Sequence, residues 1–275
     1  MHFPRHERYL ECAQALRACF APRGLRVLIG FETEWIRTHD YHPLVERLRR
    51  HPAVDYIVGS IHHVLGEPID YNKAMYARAC DAAVAAGFSP DAAARRSKMD
   101  DDDDDDNNDD DDNRERALYN AYFSAQNEML RALKPEVVGH LDVVRLLSRN
   151  PDRSLRQTWP EVWERVLDSL RVVQSYGGML ECNSSALRKG LAEPYPSREI
   201  AAEWLATGGR FCLSDDSHGI GQLGTNYARM VAFLEGLGVE DVWTLERTED
   251  GGRVKEKRVL LKDVRACVEK KRWSR

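Results

Sequence analysis

Five ionisable residues of this 275-residue chain each lie at the end of a short apolar run. They are Glu32, His62, His140, Asp216 and His218. Histidine nitrogens and carboxylate oxygens are the ligands that catalytic divalent metal ions take from proteins. For one histidine alone, a core or turn role is the more common explanation. Three histidines and two carboxylates in equivalent positions instead predict a hydrolytic metal centre.

The apolar runs that end in these residues have the length of β-strands. The runs are RVLIGFE, VDYIVGSIH, EVVGH and RFCLSDDSH. Amphipathic stretches with the period of a helix separate them, which predicts parallel strands joined by helical crossovers. In such folds the carboxyl ends of the strands form the active-site face. The pattern therefore predicts an α/β enzyme in which the five residues share one face.

Length and charge fit a single α/β domain over residues 1–275. The formal net charge is −5, and without the 11 aspartates between positions 100 and 112 the body carries +6. That balance suits an anionic small molecule and is too weak to indicate nucleic acid. The aspartate run cannot bury apolar surface, so a disordered acidic insertion is predicted at about 97–114.

The sequence also bears on location and redox state. No stretch approaches the roughly 20 apolar residues of a membrane span. The N-terminus MHFPRHERYL lacks the apolar core of a signal peptide, so a cytoplasmic location is expected. The six cysteines are scattered without a CxxC pair, which predicts reduced thiols and no disulfide framework.

Five strings resemble, in order, motifs of the polymerase and histidinol phosphatase (PHP) superfamily, specifically its histidinol-phosphate phosphatases. The strings are GFETEWI, VGSIHHV followed by PIDYN, KPEVVGHLDVVRL, LECNSSALRKG followed by PYPS, and LSDDSHGIGQLGTNY. They extend from about Arg8 to about Leu237, interrupted by the acidic insertion. The resemblance implies a distorted (β/α)7 barrel with a trinuclear site for divalent Mn, Fe or Zn at the carboxyl ends of its strands.

The same resemblance implies roles for the five ionisable residues. Glu32 looks like a bridging carboxylate, with His62 and His140 completing the ligands of one metal. Asp216 looks like a ligand of a second metal and His218 of a third, so Glu32, Asp216 and His218 are the candidate catalytic residues. A metal centre suits hydrolysis of phosphate monoesters, because that reaction is very slow without charge neutralisation and an activated nucleophile.

Further residues resemble the family's substrate-binding groups. Arg145 and Arg188 look like its phosphate-contacting arginines, and Asn183 is predicted in the site wall. For each arginine, a solvated surface role is the alternative. Asp142 is predicted to orient a ligand histidine through its ring N–H. The implied substrate is L-histidinol phosphate, hydrolysed to L-histidinol and phosphate in histidine biosynthesis, and its amino and imidazole groups need a carboxylate or amide.

One part of the family pattern is not found in this sequence. The family begins with a strand carrying HxH plus a further histidine, and a second strand that ends in a Glu-His pair. This sequence begins with the predicted helix HERYLECAQALRACFA, and His2 and His6 are the only histidines before Glu32. The expectation is a barrel that lacks its first strands and keeps one complete metal site. Another PHP phosphoesterase and a catalytically impaired homologue that binds a metal or a partner protein remain the alternatives.

Overall fold

The computed structural model describes residues 4–89, 107–248 and 254–270. The strands are β1 (Gly30–Thr33), β2 (Tyr56–Gly59), β3 (His63–Val64), β4 (Glu67–Pro68), β5 (Val137–Val138), β6 (Met179–Asn183), β7 (Phe211–Ser214), β8 (Asp241–Arg247) and β9 (Val254–Leu260). The helices are α1 (Pro4–Phe20), α2 (Thr38–Arg49), α3 (Lys73–Ala85), α4 (Asn107–Leu133), α5 (Leu155–Thr158), α6 (Pro160–Tyr176), α7 (Ser185–Arg188), α8 (Arg198–Ala206), α9 (Tyr227–Glu235) and α10 (Leu261–Lys270).

Five strands form one parallel sheet in the order β1-β2-β5-β6-β7. In its register Glu32 pairs with Val58, and Val58 in turn pairs with Val137. The predicted α/β class with parallel strands is thus confirmed. In the described part of the chain, β1 and β7 are the edge strands of this sheet. The strands are shorter than the apolar runs, so that His62 and His140 lie in the loops that follow β2 and β5.

The core lies between the sheet and the helices that cross over it. Helix α6 illustrates why these segments are helical: Pro160 occupies its first turn, where no N–H is needed, and Gly177 ends it with a left-handed φ of 79°. Between these ends, Val166, Leu170 and Val173 recur at helical spacing and are buried. Burial of each such side chain stabilises the fold by about 1.5–3 kcal/mol.

Strands β8 and β9 form an antiparallel hairpin that the sequence pattern did not predict. Two ion pairs attach it to the sheet: Arg247 lies 3.5 Å from Asp55, and Glu256 pairs with Arg210. Asp55 and Arg210 directly precede β2 and β7. The hairpin therefore lies at the amino ends of the parallel strands, away from the loops that carry the ionisable residues.

The C-terminal part of the predicted acidic insertion is not a disordered loop. Residues 107–114 form the first turns of α4, whereas residues 97–106 lie outside the described part of the chain. Asp111 pairs with Arg149 at 2.8 Å and with Arg114 at 3.0 Å. Acidic side chains also favour the positive end of a helix dipole. The pair with Arg149, which is 38 residues away in sequence and which composition does not reveal, thus stabilises these residues as a helix.

Two further predictions concern membranes and cysteines. Of the described helices, none is long and apolar enough to cross a membrane. All six cysteines are free thiols, and Cys80 and Cys182 are buried.

Candidate metal centre

Three of the five predicted ligands converge at the carboxyl end of the sheet. Glu32 lies on β1, His62 follows the adjacent strand β2, and His140 follows β5, which is next to β2. Glu32 Oε1 is 3.0 Å from His140 Nε2, and the two Nε2 atoms are 3.1 Å apart. Glu32 Oε1 is 3.7 Å from His62 Nε2. We refer to Glu32, His62 and His140 as the trio.

The geometry of the trio fits one small divalent ion. Ligand atoms placed tetrahedrally at about 2.0–2.2 Å from zinc are about 3.4 Å apart, close to the separations in the trio. The same nitrogen and oxygen donors suit Mn or Fe. The His140 side chain is 4% exposed, whereas that of Glu32 is 42% exposed. The trio is therefore closed on the protein side and open to water or substrate on the other.

Glu34, which the sequence analysis did not single out, orients His62. Its Oε2 accepts a hydrogen bond from His62 Nδ1 at 2.9 Å, and its Oε1 accepts one from the His62 backbone N–H at 3.1 Å. With Nδ1 as the donor, Nε2 is free to bind a metal. His63 Nδ1 is 3.4 Å from the same carboxylate. The alternation in GFETE was an available signal, since residues two apart in an extended chain point to the same side.

Glu181 and Asn183 support His140 from within the sheet. Glu181 Oε2 accepts hydrogen bonds from the His140 backbone N–H at 3.1 Å and from Asn183 Nδ2 at 2.9 Å. Burial raises the pKa of Glu181. Asn183 is 1% exposed, and its Oδ1 accepts from the Ser185 N–H. Asn183 is thus linked to the trio through Glu181, and its role in substrate binding stays a prediction.

Charge is strongly coupled within the trio. Burial opposes ionisation of Glu32, but the hydrogen bond and charge of His140 and the charge of His62 outweigh it and lower the pKa of Glu32 to about 2. Burial likewise opposes the protonated form of His62. The hydrogen bond to Glu34 and the charges of Glu32, Glu34 and Asp70 outweigh it and raise the pKa of His62 to about 9. At neutral pH the metal-free trio therefore contains a carboxylate and a protonated imidazole.

Asp216 and His218 are not part of the trio. They lie in the loop after β7, where Asp216 Oδ2 is 3.6 Å from Lys189 Nζ. His218 Nδ1 is 2.9 Å from the Asp216 carbonyl, and the His218 side chain is 75% exposed. Within the described ranges, the trio is the one group of three such ligands within 4.8 Å of one another. Metal ligation by Asp216 and His218 stays a prediction.

His6 is the one histidine before Glu32 that the structure describes. His2 lies outside the described residues. His6 lies on α1, where its ring packs edge-on against Phe31 with the ring centroids 5.9 Å apart.

Arg188 holds the loop that carries Asp216. Its Nη1 donates to the Asp215 carbonyl at 2.8 Å and its Nη2 donates to the Asp216 carbonyl at 3.0 Å. Asp216 has a left-handed φ of 48°, an uncommon conformation for a residue with a side chain. Arg188 is only partly buried, and a guanidinium has five N–H donors. It therefore retains donors beyond the two that hold the loop.

Arg145, which was predicted to contact the substrate phosphate, is a buried residue. It is 3% exposed, pairs with Asp142 at 3.0 Å and donates to the Pro194 carbonyl at 2.7 Å. A 3-10 helix at Val143–Leu147 begins directly after the His140 loop and turns Arg145 back onto Asp142. Asp142 was predicted to orient a ligand histidine, but its contacts in the described residues are with Arg145 and the Ser197 N–H.

Comparisons with known proteins identify similar sequences. The family model described as the PHP domain matches residues 2–185. A Schizosaccharomyces pombe protein named a probable histidinol-phosphatase is 28% identical over 262 residues, which cover 95% of this chain and 76% of that protein. The histidinol-phosphatase of Saccharomyces cerevisiae is 29% identical over 266 residues, covering 88% of this chain and 71% of that protein.

A solved structure has a similar fold. It is the histidinol phosphate phosphatase of Lactococcus lactis in complex with zinc, L-histidinol and phosphate. The TM-score is 0.57 at 17% identity, and the match covers 90% of this chain and 79% of that one. At this identity the likeness shows a shared fold.

Proposed function

The chain belongs to the PHP domain family, whose model matches residues 2–185, and from that premise we propose that it hydrolyses L-histidinol phosphate to L-histidinol and phosphate. It is then a metal-dependent phosphoric monoester hydrolase of histidine biosynthesis. Two relatives, at 28% and 29% identity, are named histidinol-phosphatases. The single observation that carries the proposal is the convergence of the trio at the carboxyl end of the sheet.

In this proposal the trio holds a divalent ion. Zinc is the first candidate, because zinc is present in the Lactococcus lactis structure. When bound, the ion supplies charge neutralisation at the phosphate and a water nucleophile at neutral pH. The protein residues supply orientation: Glu34 fixes the ring of His62, and Glu181 fixes the backbone of His140. Asp216 and His218 are proposed as ligands of further ions.

Positive charge for the substrate phosphate comes, in this proposal, from Arg188 and Lys189. Both lie at the end of α7, beside the loop after β7. Arg188 is partly buried and Lys189 exposed, so both cations are accessible from solvent. A phosphate contact by Arg145 stays a prediction: its guanidinium is buried and bound to Asp142 and Pro194, and its Nη1 has no hydrogen-bond partner among the described residues.

Phosphate release from a panel of substrates tests the proposal. The panel contains L-histidinol phosphate, a simple alkyl phosphate and an oligonucleotide, each with the zinc-loaded and the chelator-treated protein. We expect metal-dependent release with a preference for L-histidinol phosphate. Glu32→Gln should abolish it, whereas Glu164→Gln, an exposed change on α6, should not. Preference for the oligonucleotide would instead indicate a nuclease-like PHP phosphoesterase.

Elemental analysis in parallel distinguishes the proposed enzyme from a catalytically impaired homologue that binds metal. We expect about one tightly bound divalent ion per chain, because the trio is the ligand group that the described structure completes. Tight metal binding without hydrolysis of any monoester would identify a catalytically impaired homologue.

A further inference from the structure

The two histidines of the trio differ in how their rings are held. The ring of His62 donates a hydrogen bond from Nδ1 to Glu34 at 2.9 Å. His140 Nδ1 is buried, but it makes no hydrogen bond with the described residues. A histidine that binds a metal through Nε2 is normally oriented by a hydrogen bond at its other ring nitrogen. Among the described residues, packing is therefore what orients the ring of His140.

Tyr195 provides this packing from outside the trio. Two rings pack edge-on against the ring of His140: that of His62, with centroids 4.8 Å apart, and that of Tyr195, with centroids 6.1 Å apart. The planes of Tyr195 and His140 meet at 71°, and Tyr195 is fully buried. Aromatic rings prefer this arrangement because the positive edge of one faces the negative face of the other. Tyr195 therefore favours one orientation of the His140 ring.

The backbone of Tyr195 is attached to the end of strand β6. The Asn183 N–H donates to the Tyr195 carbonyl at 2.8 Å, and the Tyr195 N–H donates to the Asn183 carbonyl at 3.1 Å. Asn183 is the last residue of β6, which lies next to β5 in the sheet. His140 follows β5 by two residues. The exchanged hydrogen bonds thus hold Tyr195 beside the loop that contains its ring partner.

Asp142 and Arg145 form a second attachment of the Tyr195 segment. Asp142 Oδ2 accepts a hydrogen bond from the Ser197 N–H at 2.8 Å. Arg145 Nη2 donates to the Pro194 carbonyl at 2.7 Å, and its guanidinium carbon lies 5.2 Å from the centroid of the Tyr195 ring. Both charged side chains are buried. The backbone before and after Tyr195 is therefore held by buried groups, which fixes the position of its ring.

We propose that Tyr195 is a positioning residue of the metal centre, whose ring holds the imidazole of His140 in the orientation in which Nε2 binds the ion. The inference rests on the proposed function, because it requires that the trio binds a divalent ion. Tyr195 is not a ligand and acts through His140. Loss of its ring should lower zinc affinity about 2- to 12-fold, the range that corresponds to one edge-on aromatic pair.

The zinc affinity of three variants, measured by competition with a chromophoric chelator, tests this role. Tyr195→Phe keeps the ring and should leave zinc affinity unchanged, whereas Tyr195→Leu removes the ring and should lower it. Tyr119→Leu is the matched control. Tyr119 is also buried, and its ring packs edge-on against that of Trp159 with centroids 5.1 Å apart. Tyr119→Leu should lower the thermal unfolding temperature without lowering zinc affinity.

The visible absorption spectrum of the cobalt-substituted protein is a second readout, because it depends on the coordination geometry of the ion. The spectrum should change in Tyr195→Leu and should stay unchanged in Tyr195→Phe and Tyr119→Leu. Thermal unfolding verifies that each variant is folded. If Tyr195→Leu does not fold, Tyr195→Met takes its place, because methionine fills more of the same space without a ring.

Three results would overturn the inference while leaving the proposed metal site intact. The first is unchanged zinc affinity together with an unchanged cobalt spectrum in the folded variant without the ring. The second is an equal loss of zinc affinity in Tyr119→Leu, which would indicate a general effect of a weakened core. The third is an equal loss in Tyr195→Phe, which would assign the effect to the hydroxyl group. Absence of zinc binding by the unaltered chain would instead contradict the proposed function, and the inference with it.

Discussion

The carboxylate of Glu34 binds His62 at two points, the ring Nδ1 at 2.9 Å and the backbone N–H at 3.1 Å. The first bond sets the tautomer of the ring, and the second sets the position of the residue in the loop after β2. Both direct Nε2 of His62 towards Glu32 and His140. The orientation of one ligand is therefore determined by a residue that does not touch the metal position itself.

Replacing Glu34 should weaken metal binding without removing a ligand. Glu34→Ala is expected to lower zinc affinity by about 10- to 100-fold, because the ring of His62 loses its fixed orientation. Glu34→Gln keeps a hydrogen-bond acceptor and should have a smaller effect. Competition with a chromophoric chelator measures both, and the exposed change Glu164→Ala serves as the control. Unchanged zinc affinity in Glu34→Ala would contradict this role.

Metal binding should release a proton at neutral pH. The pKa of His62 in the metal-free protein is about 9, so the ring is protonated at pH 7 and must lose that proton to coordinate. Apparent zinc affinity should rise about tenfold per pH unit below pH 9 and level off above it. Calorimetry in two buffers with different ionisation enthalpies counts the released protons. An affinity independent of pH between 6 and 8 would show that His62 is already neutral.

The same raised pKa determines how the stability of the metal-free protein depends on pH. A histidine with a raised folded-state pKa contributes stability fully below its unfolded value of about 6.5. That contribution is lost as the pH rises through about 9, the pKa of His62 in the fold. The free energy of unfolding of metal-free protein, measured with urea from pH 6 to 10, should fall across this range. The decrease should be smaller in Glu34→Gln, which lacks one of the charges that raise the pKa of His62.

Convergence of the trio was predictable from the sequence because its members end predicted parallel strands, whose carboxyl ends share one face. Each member lies at or just after a parallel strand, and β1, β2 and β5 are neighbours. The side-chain direction in a loop was not predictable in this way. Arg145 follows its strand by a few residues, but the 3-10 helix at Val143–Leu147 turns it into the core. The position of the β8–β9 hairpin was not predictable either, because the ion pairs that attach it to the sheet join residues far apart in sequence.

Arg188 should affect substrate affinity more than metal content. Arg188→Ala removes a cation beside the proposed phosphate position and frees the carbonyls of Asp215 and Asp216. The KM for L-histidinol phosphate is expected to rise about tenfold or more, and zinc bound by the trio should be unchanged. Steady-state kinetics and elemental analysis measure the two effects, with the exposed Arg171→Ala as the control. Loss of zinc in Arg188→Ala would indicate that Arg188 supports the trio itself.

The last prediction concerns Gly139, which links β5 to His140. The Gly139 N–H donates to the Gly59 carbonyl at 3.0 Å, so the two backbones approach closely at this point. A Cβ on residue 139 would clash with Ser60 Oγ and come within 2.9 Å of Val58 Cγ1. Overpacking of this kind costs about 1–3 kcal/mol, and the resulting shift of the loop would displace His140.

Gly139→Ala should therefore lower the thermal unfolding temperature and zinc affinity together. Gly221→Ala provides the matched control, because its Cβ would meet no heavy atom within 4 Å. Differential scanning calorimetry and chelator competition on both variants separate a local packing effect from a general effect of alanine. The two losses should be coupled because the space that admits no Cβ lies between β2 and β5, the strands that directly precede the loops with His62 and His140. If Gly139→Ala lost stability but kept zinc affinity, the loop after β5 would have to accommodate the methyl group without moving His140.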